Sequence, residues 1–285
     1  MRRVGISFIA ISSLALVACN QGTSDEEVER ALQDVNVIDE TNLNDIMLTA
    51  ADPNEAVTYF QRTLAANPTR VDLKRGLAIS LVRAGKPTAA VSAWQAVLED
   101  PGATNDDRVD YADALIRANQ WDRAEAQLDE IPPTHETFKR YRLEAMVADS
   151  NKEWKKADSF YEIAVGLTTK PSGTLNNWGF SKLTRGDYAE AERLFGEALT
   201  YNSDMFTAKN NLVLARAAQR RYEMPVVPMT QIERAQLLHT AALSAIKQGD
   251  INTGKSLLRE AIDTHPQYFE AAVRSLEALD NSATN

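Results

Sequence analysis

The most regular feature of the chain is a recurrence of small and large apolar residues at intervals of about 34 positions. Five alanines recur in steps of 34, 34, 33 and 34, and each is followed four residues later by a large apolar side chain. The alanines are Ala56, Ala90, Ala124, Ala157 and Ala191, and the large residues are Phe60, Trp94, Leu128, Tyr161 and Phe195. Because positions four apart share one face of a helix, each copy predicts a helix with a close contact at the alanine and a bulky contact one turn later.

A second set of residues, twelve positions before the alanines, predicts a partner helix in each copy. Four of the five are small; the residues are Asn44, Ala78, Ala112, Ala145 and Gly179. Proline-containing turns mark the predicted helix ends at Asn67-Pro68, Asp100-Pro101, Pro132-Pro133, Lys170-Pro171 and His265-Pro266. Acceptor residues three positions before a glutamate predict capped helix starts at Asp52, Asp187 and Thr230.

This repeat of paired helices resembles the tetratricopeptide repeat over roughly residues 37–279. The resemblance implies an all-α, right-handed superhelical solenoid of about 5.5–7 repeats, in which each repeat is stabilised mainly by its neighbours. A capping helix is expected from about Gln267 to Leu279, and residues 280–285 are expected to form a disordered tail.

One copy of the repeat is irregular. From Ala191 to the matching Gly254 there are 63 residues, five short of two full repeats. Residues 206–221 predict a first helix, but residues 222–229 stand where its partner should be. Pro225 and Pro228 exclude a helix interior there, because proline lacks an N–H donor and clashes with the preceding turn.

The first 18 residues predict a secretory signal. Arg2 and Arg3 precede a largely apolar stretch of roughly 14 residues, which is shorter than the ~20 of a membrane-spanning helix. Leu16-Val17-Ala18-Cys19 resembles the bacterial lipobox, which implies that Cys19 carries the lipid and that residues 19–36 are a tether. Asn20 favours sorting to the periplasmic face of the outer membrane. The alternative is an ordinary cleaved signal with an incidental cysteine.

Charge and composition narrow the classes of partner. The chain has 31 basic and 40 acidic residues, and removal of Arg2 and Arg3 with the signal changes the net charge from −9 to −11. Binding to nucleic acid depends on clustered Lys and Arg, so an acidic chain argues against it. The single cysteine, once lipidated, leaves no disulfide, and the low content of glycine and proline favours helices.

One motif suggests nucleotide chemistry, but its context argues against that. Residues 249–256 match the phosphate-binding pattern Gly-x4-Gly-Lys-Ser. Such a loop must connect a buried strand to a helix, whereas residues 241–248 are predicted to be helical. The histidines at 135, 239 and 265 are dispersed among different repeats, and no nucleophile motif is present. We therefore expect no catalytic residues, no metal, no cofactor and no small-molecule substrate.

The first helices of successive repeats should line a concave groove for a protein or peptide partner. The positions facing it are charged or mixed in the early copies and become apolar and amide-rich later. An apolar strip rimmed by amides is typical of a peptide-docking surface. The predicted groove residues are Asn176, Phe180, Leu183, Asn210, Leu214, His239, Leu243 and Ile246. The alternative is that residues 225–229, or tight superhelical closure, cover the strip.

A narrower resemblance lies in the C-terminal half, clearest over residues 172–279. Residues 222–231, 233–240, 247–250 and 259–266 are similar to the TadD family, the tetratricopeptide lipoproteins of the tight-adherence (Flp) pilus system. The resemblance implies a non-enzymatic assembly factor that aids localisation or multimerisation of a secretin. The alternative is a lipoprotein that regulates peptidoglycan synthesis or outer-membrane protein assembly.

Overall fold

A computed structural model of the protein describes residues 43–282. All regular secondary structure in this range is α-helical, as predicted. The helices are α1 (residues 43–49), α2 (Pro53–Ala66), α3 (Val71–Arg83), α4 (Pro87–Leu98), α5 (Asn105–Arg117), α6 (Trp121–Asp129), α7 (Phe138–Ser150), α8 (Trp154–Gly166), α9 (Ser172–Thr184), α10 (Tyr188–Tyr201), α11 (Phe206–Ala218), α12 (Gln231–Lys247), α13 (Ile251–Thr264) and α14 (Glu270–Ser282).

The helices form successive antiparallel pairs that stack in chain order. Helices α3 and α4, α7 and α8, α9 and α10, and α12 and α13 pack along each other, and each pair contacts the next. The small residues of the repeat are wholly buried between the helices; they include Ala56, Ala90, Ala124, Ala157 and Ala191. The described range therefore contains six helix pairs, the unpaired helix α11 and the terminal helix α14, within the predicted number of repeats.

The bulky Phe195 packs against the small residue of its partner helix. At Gly179, an added Cβ would lie 2.7 Å from Cε1 of Phe195, closer than side-chain carbon atoms can approach. Gly76 on α3 makes a similar contact across a repeat boundary, with an added Cβ only 2.3 Å from Cε1 of Phe60 on α2. The aromatic ring therefore sits directly on the backbone of the facing helix, which explains the spacing read from the sequence.

Helix starts agree only partly with the predicted caps. The Asp52 carboxylate accepts hydrogen bonds from the backbone N–H groups of Asn54 (2.9 Å) and Glu55 (3.2 Å). Thr230 and Glu233 form the predicted reciprocal capping box at α12. The prediction for Asp187 is wrong, because its side chain makes no capping bond and lies 3.8 Å from the Lys182 ammonium instead.

The irregular copy has the predicted gap. Helix α11 ends at Ala218, three residues earlier than predicted, and the chain from 222 to 230 is not helical. Pro225 is buried, and Val227 packs against the core cluster around Leu194 and Phe195. Tyr222, Met224 and Met229 pack against the neighbouring cluster of α12 and α13. An extended segment thus replaces the missing helix and fills part of its volume with apolar side chains.

The C-terminal helix differs from its predicted bounds at both ends. It starts at Glu270 rather than about Gln267, because His265 Nδ1 accepts a 3.1 Å hydrogen bond from the Gln267 backbone N–H and holds the turn. It continues past Leu279 to Ser282, with Asp280 paired to Lys255 at 2.6 Å. The prediction of a frayed tail is therefore wrong for residues 280–282, and residues 283–285 lie outside the described range.

The predicted signal peptide, the lipidated Cys19 and the tether at 19–36 also lie outside the described residues. Within residues 43–282, no helix combines the length and apolar character needed to cross a bilayer.

Candidate functional site

A cleft of about 540 Å³ opens between the first helices of the later repeats. Its lining residues come from α7, α9 and α11, from the first residues of α6 and α8, and from Tyr161 in the middle of α8. The lining residues are Trp121, Met146, Asp149, Ser150, Trp154, Tyr161, Asn176, Asn177, Phe180, Ser181, Thr184, Thr207 and Asn211. Aromatic rings, amides and hydroxyls predominate, which is the chemistry of a surface that binds polypeptide.

The apolar part of the cleft contains Phe180, Trp121, Trp154 and Met146. Phe180 lies on the middle of α9 and exposes half of its surface. An exposed phenylalanine beside two tryptophans leaves a large apolar area in contact with water, and covering it with a ligand side chain is favourable. The orientation of Trp154 is supported by Arg185, whose guanidinium carbon lies 5.5 Å from the ring centroid.

Two asparagines from successive repeats form the polar part of the floor. Asn211 Nδ2 on α11 donates a 3.0 Å hydrogen bond to Asn176 Oδ1 on α9, and both side chains are buried. Asn176 Nδ2 and Asn211 Oδ1 make no hydrogen bond to another described residue. The pair therefore offers one fixed donor and one fixed acceptor to the cleft, the two groups that a peptide bond requires.

The carboxylate in the lining, Asp149, is engaged within the protein. Asp149 accepts hydrogen bonds from the Ser181 hydroxyl at 2.6 Å and from the Tyr161 hydroxyl at 2.9 Å. Burial raises the pKa of Asp149, although these two hydrogen bonds oppose the shift. Burial and the neighbouring Asp149 charge raise the pKa of the Tyr161 hydroxyl, so it remains a donor. Asp149 consequently positions the wall and is poorly available to a ligand.

Asp158, on the same helix as Trp154, binds three side chains from the neighbouring helix and loop. Asp158 accepts a 2.6 Å hydrogen bond from Trp178 Nε1, lies 3.0 Å from Lys182 Nζ and pairs with Arg185. Burial raises the pKa of Asp158, but the hydrogen bonds from Arg185, Trp178 and Lys182 outweigh it and the pKa is lowered. Trp178 also stacks on Tyr161 with ring centroids 6.1 Å apart. The aromatic lining is thus held by contacts that need no ligand.

The eight predicted groove residues differ in whether they line the cleft, are exposed elsewhere or are packed against other side chains. Asn176 and Phe180 line the cleft. Leu243 on α12 is 45% exposed and Leu214 on α11 is half-buried, and neither lines the cleft. Asn210 Oδ1 accepts a 2.9 Å hydrogen bond from the Thr240 hydroxyl.

The other three predicted residues are engaged in packing. Leu183 packs against the core cluster of α9–α11. His239 lies 3.3 Å from the Ser275 hydroxyl and packs edge-on against Phe269. Ile246 lies over Gly254, where an added Cβ would be 2.4 Å from its Cγ1. The eight residues therefore do not form one continuous open strip.

The segment at 222–229 does not line the cleft. All cleft residues precede it in the chain, and its buried side chains face the core clusters of α9–α11 and α12–α13. Sequence reasoning missed Trp121 and Trp154, which are the first residues of α6 and α8. Their spacing of 33 positions, equal to one repeat, was the signal that both reach the same surface.

The phosphate-loop pattern lies in a helical context. Residues 251–256 form the first turns of α13, and the element before them is helix α12 rather than the buried strand that a phosphate loop requires. The Asp250 side chain accepts a hydrogen bond from the Thr253 backbone N–H at 3.3 Å and so caps this helix start. Lys255 pairs with Asp280, and Gly254 is buried under Ile246. Within residues 43–282, no three metal-ligating side chains come together.

The comparisons with known proteins agree with this architecture. The tetratricopeptide-repeat family model matches residues 48–107 and 177–223. The fold is a tetratricopeptide-repeat solenoid. Folds of this family bind peptides or other proteins and typically act as scaffolds without catalytic activity. No curated protein sequence matches the chain.

Several solved tetratricopeptide-repeat and related structures share the fold at low sequence identity. The Cut9–Hcn1 hetero-tetramer of the APC/C aligns over 83% of this chain with 13% identity and a TM-score of 0.59. This chain spans about half (48%) of that one. The C-terminal part of a tetratricopeptide-repeat protein from Cytophaga hutchinsonii aligns over 82% of this chain and 98% of its own, with 14% identity and a TM-score of 0.51.

A third similar structure is the human IFIT1 dimer with PPP-AAAA. It aligns over 81% of this chain and 60% of its own, with 14% identity and a TM-score of 0.54. Such likenesses establish the fold and leave the partner to be argued from the cleft itself.

Proposed function

We propose that the protein is a lipid-anchored scaffold that binds another protein in the concave cleft during assembly of a tight-adherence (Flp) pilus. Its expected role is to aid the localisation or multimerisation of an outer-membrane secretin. The observation that carries the binding function is the half-exposed Phe180, which lines the same cleft as Trp121, Trp154 and the Asn176–Asn211 pair. The resemblance of residues 172–279 to the TadD family supports the pilus role.

The chemistry of the cleft favours an extended polypeptide. A peptide backbone presents alternating N–H and C=O groups, which match the free acceptor on Asn211 and the free donor on Asn176. Side chains from such a strand would reach the apolar surface of Phe180 and Trp154. Burial of one large apolar side chain contributes about 1.5–3 kcal/mol, so several such contacts along the strand are needed, together with the amide contacts, to offset the translational and rotational freedom lost on binding.

The N-terminal sequence supports the location. Lipidation of Cys19 would hold the scaffold at the periplasmic face of the outer membrane, where a secretin subunit must be inserted. The acidic chain gives no electrostatic attraction to anionic lipid, so the acyl chains would carry membrane attachment alone. A Cys19→Ser variant should therefore appear in the soluble periplasmic fraction.

The pilus role is tested by depleting the protein in its own host. We expect loss of detergent-resistant secretin multimers and of surface pili, with both restored by the wild-type gene. Neighbouring genes for a prepilin, a secretin and a secretion ATPase would support the role independently. Normal multimers and normal pili after depletion would exclude it.

The cleft is tested separately by a pair of matched variants. Phe180→Asp places a charge in the apolar part of the cleft and should abolish restoration of secretin multimers. Tyr201→Asp changes a similarly exposed aromatic residue (55%) on α10, outside the lining, and should restore them fully. Both variants should retain wild-type helicity by circular dichroism. Restoration by Phe180→Asp would show that the partner binds elsewhere.

A further inference from the structure

Arg142 is a half-buried arginine without a counter-ion. Its Nε is enclosed by the protein and has no hydrogen-bond partner, and within residues 43–282 the side chain forms no ion pair. The guanidinium group packs on the Phe138 ring, whose centroid lies 5.7 Å from the guanidinium carbon. The Nε–H group has lost hydration without a compensating hydrogen bond, and the terminal N–H groups of the guanidinium can donate charge-assisted hydrogen bonds to a carboxylate that reaches them.

Arg142 lies next to the cleft on α7 and is not itself one of its lining residues. It precedes Met146 by one turn on α7, so the two side chains share a face of that helix, and Met146 lines the cleft. Its positive charge also acts on the Tyr161 hydroxyl, another lining group. One repeat later, the equivalent position is Asn176, which supplies the free donor of the floor. The cation, the amide pair and the aromatic surface therefore lie along one path.

The other basic side chains around this surface already have acidic partners. Lys139 pairs with Asp110, and Arg140 pairs with Glu144 at 2.8 Å. Lys182 and Arg185 share Asp158 on the opposite wall. Arg142 is thus distinguished from its neighbours by the absence of an internal carboxylate, in a chain that carries nine more acidic than basic residues.

We propose that the segment bound in the cleft carries an aspartate or glutamate side chain that pairs with Arg142, next to an apolar side chain that packs on Phe180. The inference rests on the proposed binding function and specifies the chemistry of its partner. Arg142 lies within the solenoid, with the helices α1 to α6 before it and α8 to α14 after it in the stack. We assign the acid to a side chain within the bound segment, and a library with free C-terminal carboxylates tests this assignment against a chain terminus.

The test uses the full-length protein in detergent micelles and a library of N-acetylated, C-amidated dodecapeptides with every position varied. The wild type should select peptides with an acidic residue at a fixed spacing from an aromatic or aliphatic one. Arg142→Gln should lose the acidic preference and keep the apolar one, and Arg142→Glu should select Lys or Arg instead. Arg193→Gln removes the same charge from an exposed site on α10 and should select like the wild type.

A double-mutant cycle on one selected peptide makes the contact quantitative. Arg142→Gln should weaken binding by about tenfold or more, and replacing the peptide acid by its amide should do the same. The two changes together should cost no more than either alone. Multiplicative losses, or an unchanged acidic preference in Arg142→Gln, would overturn the proposal.

Two further outcomes separate this inference from the function on which it rests. Binders found only in a matched library with free C-terminal carboxylates would show that the acid is a terminus, which overturns the internal assignment while leaving the cleft function intact. If neither library yields binders above the level of the Phe180→Asp variant, the cleft binds no peptide and both proposals fail.

Discussion

The side-chain amide of Asn211 donates to the side-chain oxygen of Asn176 across 35 positions of sequence, at a distance of 3.0 Å in a buried setting. The bond joins the first helices of two successive repeats and fixes which atoms of the two amides remain free. It therefore links the packing of the solenoid to the chemistry of the cleft.

Asn211→Leu should weaken both stability and binding. The change leaves Asn176 Oδ1 without its donor, which costs about 1–2 kcal/mol, and it removes the acceptor offered to a ligand. The control is Asn210→Leu, since Asn210 accepts from Thr240 and lies outside the cleft lining. Urea denaturation and peptide binding distinguish the two: both variants should lose stability, and only Asn211→Leu should lose affinity. Equal loss of affinity would contradict the assigned role of the pair.

Gly179 tests the close helix contact that defines the repeat. In Gly179→Ala the added Cβ would meet the ring of Phe195, so the variant should be destabilised by about 1–3 kcal/mol despite the better helix propensity of alanine. Gly196→Ala, in the interior of α10, meets nothing within 4 Å and should be stabilised by about 0.5–1 kcal/mol. Denaturation midpoints of the two variants should therefore move in opposite directions.

The contact between Gly179 and Phe195 also shows why the fold could be predicted from the sequence. Small and bulky residues recur at fixed offsets in the sequence because the helices of successive repeats pack in the same way. The absence of a helix at 222–229 could be predicted in the same way, because Pro225 and Pro228 exclude a helix interior. These features depend on local spacing, and the sequence contains that spacing directly.

The cleft was less predictable because its residues come from different structural positions. Phe180 and Asn176 follow the groove pattern, but Trp121 and Trp154 reach the cleft from the starts of second helices. Ile246 occupies a groove position in the sequence pattern, but its side chain packs against Gly254. Whether a side chain at a groove position faces solvent or a neighbouring helix depends on tertiary contacts, which periodicity does not encode.

Lys152 offers a test of backbone strain at a helix end. Its φ is +62°, in the left-handed region, where equivalent helix ends in the chain have Gly85, Gly186 and Gly249. Lys152→Gly should therefore raise the free energy of unfolding by about 1 kcal/mol. Lys155→Gly lies in the first turn of α8, where the conformation is helical, and should lower it by less than about 1 kcal/mol. A stabilisation by Lys155→Gly, or none by Lys152→Gly, measured by urea denaturation, would contradict this interpretation.

His239 should make docking of the terminal helix sensitive to pH. The imidazole on α12 lies 3.3 Å from the Ser275 hydroxyl and contacts Phe269, both from the C-terminal part of the chain. Burial lowers the pKa of His239 below its usual value, and a hydrogen bond with the backbone of Ala271 opposes the shift only in part. The folded state therefore binds fewer protons than the unfolded state in the interval below about pH 6.5.

Stability should consequently fall as the pH falls through that interval, by at most about 1.4 kcal/mol per pH unit for one proton. Hydrogen exchange of α14 amides, measured near about pH 7.5 and about pH 5.5, should show faster opening at the lower pH. His239→Gln keeps a hydrogen-bonding group near Ser275 without a titrating ring and should reduce this difference. His265→Gln removes the other imidazole stacked on Phe269 and controls for the lost aromatic contact. If the His239→Gln variant retained the full difference, docking of α14 would respond to another group, and His239 would serve packing alone.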